Sequence, residues 1–282
     1  MLGIIGGTGL YTMENSEIRR EHAITTPFGK PSAPVAESYY KGNKFFFLPR
    51  HGSNHDFLPH EVNYRANIFA LKLLGVTSVI GVSAVGSLKE EIKPGDFSIP
   101  DQYFDFVKGN RERTFFGQGL VGHISTAEPV CDRLSRQILE AGKELDMHIH
   151  TKKTYGCVDG PRLGTRAESF FLRGPAGCDL VGMTNIPEAF LAREAQICYV
   201  SLTIATDYDC WLDDPAQHVS VEMVFSRYGK SMERAEKLIK NFLAKKFDLL
   251  DCPCRNALKT AIITPVDTLS DNKKEMLTIL KQ

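Results

Sequence analysis

Thr203-Ile204-Ala205-Thr206-Asp207-Tyr208-Asp209-Cys210-Trp211 closes an apolar, β-branched run that begins at Ile197. A run without polar alternation reads as a strand buried on both faces, as in the parallel sheet of an α/β protein. It stops at two aspartates around a tyrosine, and the chain's only tryptophan follows. Alternate residues of a strand share a face, so Asp207 and Asp209 are expected side by side at the strand's C-terminal end. That end is where ligands collect in open α/β sheets. Adjacent acids shift each other's pKa. Two readings stand for such a pair: a ligand-binding edge, or a helix cap beside a solvated loop.

The same pattern recurs outward from this strand. Leu2-Gly3-Ile4-Ile5 is a buried strand ended by Gly6-Gly7-Thr8-Gly9. Val35–Lys41 and Lys44–Leu48 pair as a hairpin about Gly42-Asn43, and Pro49-Arg50-His51-Gly52-Ser53-Asn54-His55 leaves the second strand. Glu61–Leu74 has helical spacing with Gly75 as its stop. Val76–Val82 is a strand that ends in Ser83-Ala84-Val85-Gly86-Ser87. Asp96–Pro100 is a short strand, and Gly109–Ile124 is a loop without periodicity. Glu128–Leu145, Ala167–Arg173 and Pro187–Ala195 read as helices. Tyr155–Val158 and Asp179–Val181 read as strands, the second leading into Gly182-Met183-Thr184. Val219–Leu250 is helical with an interruption at Gly229. Ala257–Ile263 is expected as a strand and Lys273–Leu280 as a last helix. Helices alternating with continuous apolar strands predict an α/β fold, a single domain over 1–282 with a central mixed β-sheet flanked by helices.

The 282 residues are 43% hydrophobic, enough for a large core. Lys+Arg and Asp+Glu are each 34, so no basic surplus points to nucleic acid. The N-terminus enters a strand directly, with no basic leader or cleavage site. The longest apolar stretch, Ala66–Gly86, contains Lys72 and is broken at Gly75 and Thr77, so no membrane span is expected. A cytoplasmic location follows as an expectation.

Seven cysteines are scattered along the chain, which is not a secreted disulfide framework. Cys252-Pro253-Cys254 is tighter than zinc-ribbon spacing, and no partner pair stands near it in sequence. A redox role and an incidental pair of small buried residues are the two readings. No H-x-x-x-H lies on a helix, so no metal site is predicted. His22, His60, His148, His150 and His218 read as peripheral.

Several strand ends carry groups suited to an anion. Gly6-Gly7-Thr8-Gly9 offers backbone N–H groups and a hydroxyl. It matches neither the dinucleotide fingerprint nor the P-loop. A tight structural turn is the other reading. Arg50 offers a fork of donors matched to phosphate oxygens, with His51 beside it. Ser83 adds a hydroxyl. One inorganic phosphate fits among Thr8, Arg50 and Ser83, and Gly182-Met183-Thr184 is a further strand end of this kind. No G-x-S-x-G nucleophile elbow is present.

These segments occur together with Thr26-Pro27-Phe28-Gly29-Lys30-Pro31-Ser32, Val62-Asn63-Tyr64-Arg65-Ala66-Asn67, Gly160-Pro161-Arg162 and Arg166-Ala167-Glu168-Ser169. In this order, from about Gly3 to Lys245, the chain resembles the 5′-methylthioadenosine phosphorylase branch of the trimeric purine nucleoside phosphorylase family. The resemblance implies that phosphate attacks C1′ of a nucleoside and the purine departs. It implies a small-molecule nucleoside and phosphate as partners, no nucleic acid or membrane, and a homotrimer or dimer of trimers. No cofactor is implied, since inorganic phosphate is a co-substrate. Thr8, Arg50, His51, Ser83, Ala84 and Thr184 match the phosphate site. Ala84, Val85, Gly86, Leu163 and Met183 match the nucleoside site, with Met183 against the ribose. Asp207 matches the acid serving purine N7, and Asp209 the acid near the exocyclic amino group. His55, His123, Val221 and Phe225 match the pocket around the 5′ substituent.

A carboxylate accepts from a 6-amino group, whereas a 6-oxo group offers only acceptors. The acid pair therefore favours 6-aminopurines, by factors of roughly 10² or more. Three positions depart from the family pattern. Leu163 stands where a phenylalanine is common, Gly164 where a serine is common, and Gly182 where some members have asparagine. Leu163 and Gly182 lean toward the alternative, a 6-oxopurine phosphorylase acting on methylthioinosine, inosine or guanosine. A hydrolase using water is a further rival, and the anion-donor set argues against it.

Overall fold

The computed structural model describes residues 1–7, 13–214, 221–245, 249 and 251–282; the side chains of 223–226 and 230 also lie outside the description. Thr8, Gly9, His218 and the side chain of Phe225 fall outside the described residues.

In chain order, β1 (Leu2–Gly6), β2 (Glu17–His22), β3 (Val35–Tyr40) and β4 (Asn43–Pro49) precede α1 (Tyr64–Leu73). Next come β5 (Ser78–Ser87), β6 (Phe97–Ser98), β7 (Gln102–Asp105) and α2 (Asp132–Lys143). Then follow β8 (Ile149–His150), β9 (Thr154–Cys157), α3 (Arg166–Arg173), β10 (Leu180–Gly182) and α4 (Asn185–Glu194). The chain closes with β11 (Cys198–Asp207), α5 (Val221–Leu243) and α6 (Asp271–Lys281).

All eleven strands among the described residues join one mixed sheet. Its centre is parallel: β1 lies between β4 and β5, and β5 also pairs with β11. Every residue of β1 and β11 is buried, the physical counterpart of their continuous apolar sequences. Near its end β5 changes partner, with Gly86 and Ser87 pairing antiparallel to β10. The C-terminal ends of β1, β4, β5 and β11 therefore open on one side, where the sheet order changes.

Several boundaries differ from the sequence expectation. The hairpin turn is Lys41-Gly42 rather than Gly42-Asn43, and both turn residues have positive φ (47° and 79°). That is the backbone of a type I′ turn. β2 was not anticipated because Glu17-Ile18-Arg19-Arg20-Glu21-His22 is charged. It is an exposed edge strand, where charge guards against pairing with other chains. β7 and β8 are too short to leave a period. The expected strand Ala257–Ile263 is a series of turns with one bridge, Gly122 to Ile262. The helix break at Gly229 does not occur. α5 runs through it with Met232, Ala235, Leu238, Ile239 and Phe242 buried, and this packing outweighs glycine's cost of about 1 kcal/mol.

The cysteine expectation is also corrected. Cys252 and Cys254 do have partners: the sulfurs of Cys131, Cys198, Cys252 and Cys254 lie within 4.8 Å of one another, all buried. The partners come from the N-cap of α2 and the start of β11, far away in sequence. No helix among the described residues is long and apolar enough to cross a membrane.

Candidate active site

The converging strand ends line a cleft of about 660 Å³. Gly7, Arg50, His51, His55, Ser83, Ala84, Val85 and Gly86 contribute from the strand ends, and Leu163, Met183, Thr184, Asp207, Asp209 and Val221 line it with them, so that among the described residues all but one of those expected meet there. His123 is the exception. It is exposed, its backbone N–H donates to the Ala261 carbonyl at 2.9 Å, and it does not line its own chain's cleft.

The acid pair is built differently from a simple strand alternation. Asp207 is the last residue of β11, after a register shift between Ala205 and Asp207. Asp209 lies beyond the strand with φ 51°, a left-handed conformation that aspartate tolerates better than most residues. The turn brings its N–H onto Asp207 Oδ1 at 2.7 Å. Thr206 Oγ1 donates to Asp207 Oδ2 at 2.7 Å. Trp211 pins the turn, donating from Nε1 to the Ser87 carbonyl at 2.8 Å, under the Arg173 guanidinium. Burial pushes the Asp207 carboxyl up to about 6, against the lowering effect of those two donors and of Arg227. Asp209 adds to the rise by like-charge repulsion. Asp207 is thus a buried carboxyl that titrates close to neutral pH, with a minor protonated fraction at pH 7 that can act as an acid.

Arg50 is buried, and most of its donors are already engaged. Nε and Nη2 form a fork on the Glu188 carboxylate at 2.7 and 2.8 Å. Nη1 donates to Val82 O at 2.8 Å and Nη2 to Ile5 O at 3.3 Å. Burial opposes the charge, and Glu188 outweighs it, so Arg50 stays charged. Its fork therefore faces Glu188 rather than the cleft, and of five N–H groups one on Nη1 is left for an anion. Glu188 also accepts from Tyr199 OH at 2.9 Å.

His51 Nδ1 lies 2.8 Å from Phe57 O, which can only accept, so Nδ1 carries the proton. Its ring stacks on His55 at 4.7 Å. Burial, then the Arg50 charge, lower its pKa to about 4. Neutral His51 thus presents Nε2 as an acceptor, suited to a hydroxyl proton such as that of hydrogen phosphate. Ser83 Oγ is 3.4 Å from Asn185 Oδ1. Thr184 Oγ1 is buried without a hydrogen-bond partner among the described residues.

Two glycines shape the wall around Met183. Gly160 has φ 63°, and a Cβ there would run into the Met183 side chain. A Cβ on Gly182 would run into the Tyr155 hydroxyl and ring. Tyr155 thus fills the space in which a side chain at 182 would stand, and Thr184 N–H donates to its hydroxyl at 3.4 Å. Gly182→Ala is expected to destabilise the chain by about 1–3 kcal/mol through overpacking. Chemical denaturation measures this, and Tyr155→Phe in the same chain should restore part of the loss. Unchanged stability of Gly182→Ala would contradict the packing.

Sequence reasoning missed three supports. Glu188 sits in an unremarkable helical stretch, and only tertiary structure places it under Arg50. Arg111, within the loop 109–124, donates to Met183 O, Ile186 O and Asp159 O at 2.7–2.8 Å and so braces the Met183–Thr184 wall. Tyr228 of α5 faces Gly7, where a Cβ would be 3.6 Å from its hydroxyl. The Arg162–Glu168 fork (2.8 and 2.6 Å) and the Thr165 capping box hold the loop that carries Leu163 and Gly164.

The model of a family described as the phosphorylase superfamily matches residues 1–244. An S-methyl-5′-thioadenosine phosphorylase of Geobacter sulfurreducens is 45% identical over 280 residues, 99% of this chain and 97% of the relative. One from Pyrococcus furiosus is 47% identical over 263 residues, 93% and 99% of the two chains. Among solved structures, a methylthioadenosine phosphorylase from an Antarctic soil metagenomic library superposes with TM-score 0.91 at 42% identity, covering 99% and 98%. An S12T variant of the adenosine/methylthioadenosine phosphorylase of Schistosoma mansoni, in complex with methylthioadenosine, gives TM-score 0.80 at 37% identity, covering 86% and 90%.

Proposed function

The chain belongs to the phosphorylase superfamily, and from that premise we propose that it catalyses phosphorolysis of 5′-methylthioadenosine, yielding adenine and 5-methylthioribose 1-phosphate. The observation that carries the reading is Asp207, a buried carboxyl with a raised pKa at the wall of a cleft large enough for a nucleoside.

In this proposal phosphate lies against Arg50 Nη1, Ser83, the backbone at Ala84, and Thr184, with Thr8 as the glycine turn's donor. His51 Nε2 accepts a hydrogen bond from the hydroxyl of hydrogen phosphate, which keeps its proton. Met183 packs on the ribose, held by Gly160 and Arg111. Val85, Gly86 and Leu163 sandwich the purine by apolar contact. An oxocarbenium-like centre forms at C1′, and electrons flow into the purine ring. Asp207 donates its proton to N7 and neutralises the departing adenine. Bound base shields Asp207 further from water, which raises its protonated fraction at neutral pH. Asp209 accepts from the 6-amino group.

His55, Val221 and Phe225 belong to the 5′-substituent pocket in this reading. His123 lies outside its own chain's cleft, so a role there requires a neighbouring subunit to bring it. A homotrimer, or a dimer of trimers, would meet that requirement, and light scattering of the purified protein tests it.

The function is tested by following adenine release from methylthioadenosine with and without inorganic phosphate. Release that depends on phosphate and yields a sugar 1-phosphate is expected. Equal release in phosphate-free buffer would identify a hydrolase instead.

A further inference from the structure

We propose that Cys131, Cys198, Cys252 and Cys254 form a structural site for a tetrahedral, thiolate-preferring divalent cation of the Zn²⁺ class, remote from the cleft. The four sulfurs lie within 4.8 Å of one another, and all four residues are buried. A tetrahedron with metal–sulfur bonds of about 2.3 Å has sulfur–sulfur edges of about 3.8 Å. Cys131 Sγ and Cys252 Sγ are already 3.5 Å apart. Closing the set around a cation takes shifts of less than about 1 Å, within the reach of side-chain rotation.

The surroundings suit a tetrathiolate. Binding releases four thiol protons, so four thiolates and one divalent cation leave a net charge of −2 in the core. Two N–H groups point at the sulfurs. Leu134 N–H donates to Cys131 Sγ at 3.4 Å, at the N-terminus of α2, where negative charge is favoured. Arg193 Nη1 donates to Cys254 Sγ at 3.5 Å and brings a positive charge. Donors to the sulfur ligands are the usual outer support of such a site.

The ligands also come from three separate parts of the fold. Cys131 caps α2 and donates its backbone N–H to Tyr199 O at 2.9 Å, Cys198 begins β11, and Cys252 and Cys254 belong to the helical turn Pro253–Asn256, Cys252 as its N-cap. A cation here fastens that C-terminal turn to the sheet. The ten-residue β11 separates Cys198 from Asp207, about 30 Å of strand. The site therefore serves stability and not the chemistry of the cleft. All seven cysteines are free thiols, and the four sulfurs form one group rather than two bonded pairs.

The full-length protein, purified without oxygen in reductant, tests this. Elemental analysis is expected to find one bound divalent cation per chain. After chelator stripping, titration with Zn²⁺ alone should saturate at one equivalent and raise the unfolding temperature. Co²⁺ in its place should give thiolate-to-metal charge transfer and the visible bands of a tetrahedral site. The double variant Cys252→Ser/Cys254→Ser should lose both signals while keeping kcat/KM for the nucleoside. Two results would overturn the site, and both are read on the unmodified chain, so neither depends on the variant folding. One is four alkylatable thiols with no Zn²⁺ uptake. The other is two disulfides that, once reduced, still take up no cation.

Discussion

Asp207→Asn is expected to lower kcat by about 10²–10⁴-fold, the usual range for loss of a general acid, while the phosphate KM stays nearly unchanged. Asparagine keeps the shape but has no acidic proton for N7. It also cannot accept from both Thr206 Oγ1 and Asp209 N–H as the carboxylate does, so the turn carrying Asp209 loosens. The same variant carries a second readout. Burial raises the Asp207 pKa from 3.8 to about 6 in the folded chain. Between those values the folded chain holds a proton that the unfolded chain has released, so stability declines as pH rises through that window. Asp207→Asn has no proton to hold there, and its unfolding temperature should lack that decline. An equal loss in kcat and in phosphate affinity would contradict the role at N7.

Arg50→Ala is expected to act twice. The phosphate KM should rise about 10- to 100-fold, the equivalent of one charge-assisted hydrogen bond of about 1.5–3 kcal/mol. Stability should fall by about 3–5 kcal/mol, because the buried Glu188 carboxylate loses its partner. The two effects separate in Arg50→Ala/Glu188→Gln. Removing the orphaned charge should recover much of the stability, and the phosphate KM should remain high. Denaturant melts and phosphate-dependent rates measure the two independently. A phosphate KM that returns to normal in the double variant would remove Arg50 from the anion site and leave it a structural residue.

What could be read from the chain depended on how local each feature is. The strand ends carrying Arg50, Ser83–Ser87 and Asp207 were legible because buried parallel strands are continuous apolar runs that stop abruptly. Polar groups at those stops must face the same edge of the sheet. The shape of the acid pair was not legible. Asp209 reaches Asp207 through a left-handed turn, not through strand alternation. The Arg50 fork was assigned to phosphate because nothing near it in sequence competes for it, yet its competitor, Glu188, arrives from a helix 138 residues away. In sequence, Gly182 reads as a departure that leans toward a 6-oxopurine phosphorylase. The fold shows Tyr155 in that space, so Gly182 speaks of packing as much as of substrate. Cys252 and Cys254 seemed to lack partners for the same reason: Cys131 and Cys198 join them only in three dimensions.

In the proposed reaction Asp207 and Asp209 read a departing 6-aminopurine. Side-by-side phosphorolysis of methylthioadenosine, methylthioinosine, adenosine and inosine, compared by kcat/KM at one phosphate concentration, tests it most directly. Each 6-amino substrate is predicted to exceed its 6-oxo counterpart by roughly 10² or more, since the 6-oxo group leaves a buried acid without its donor. Methylthioinosine or inosine cleaved as fast as its amino counterpart would contradict it.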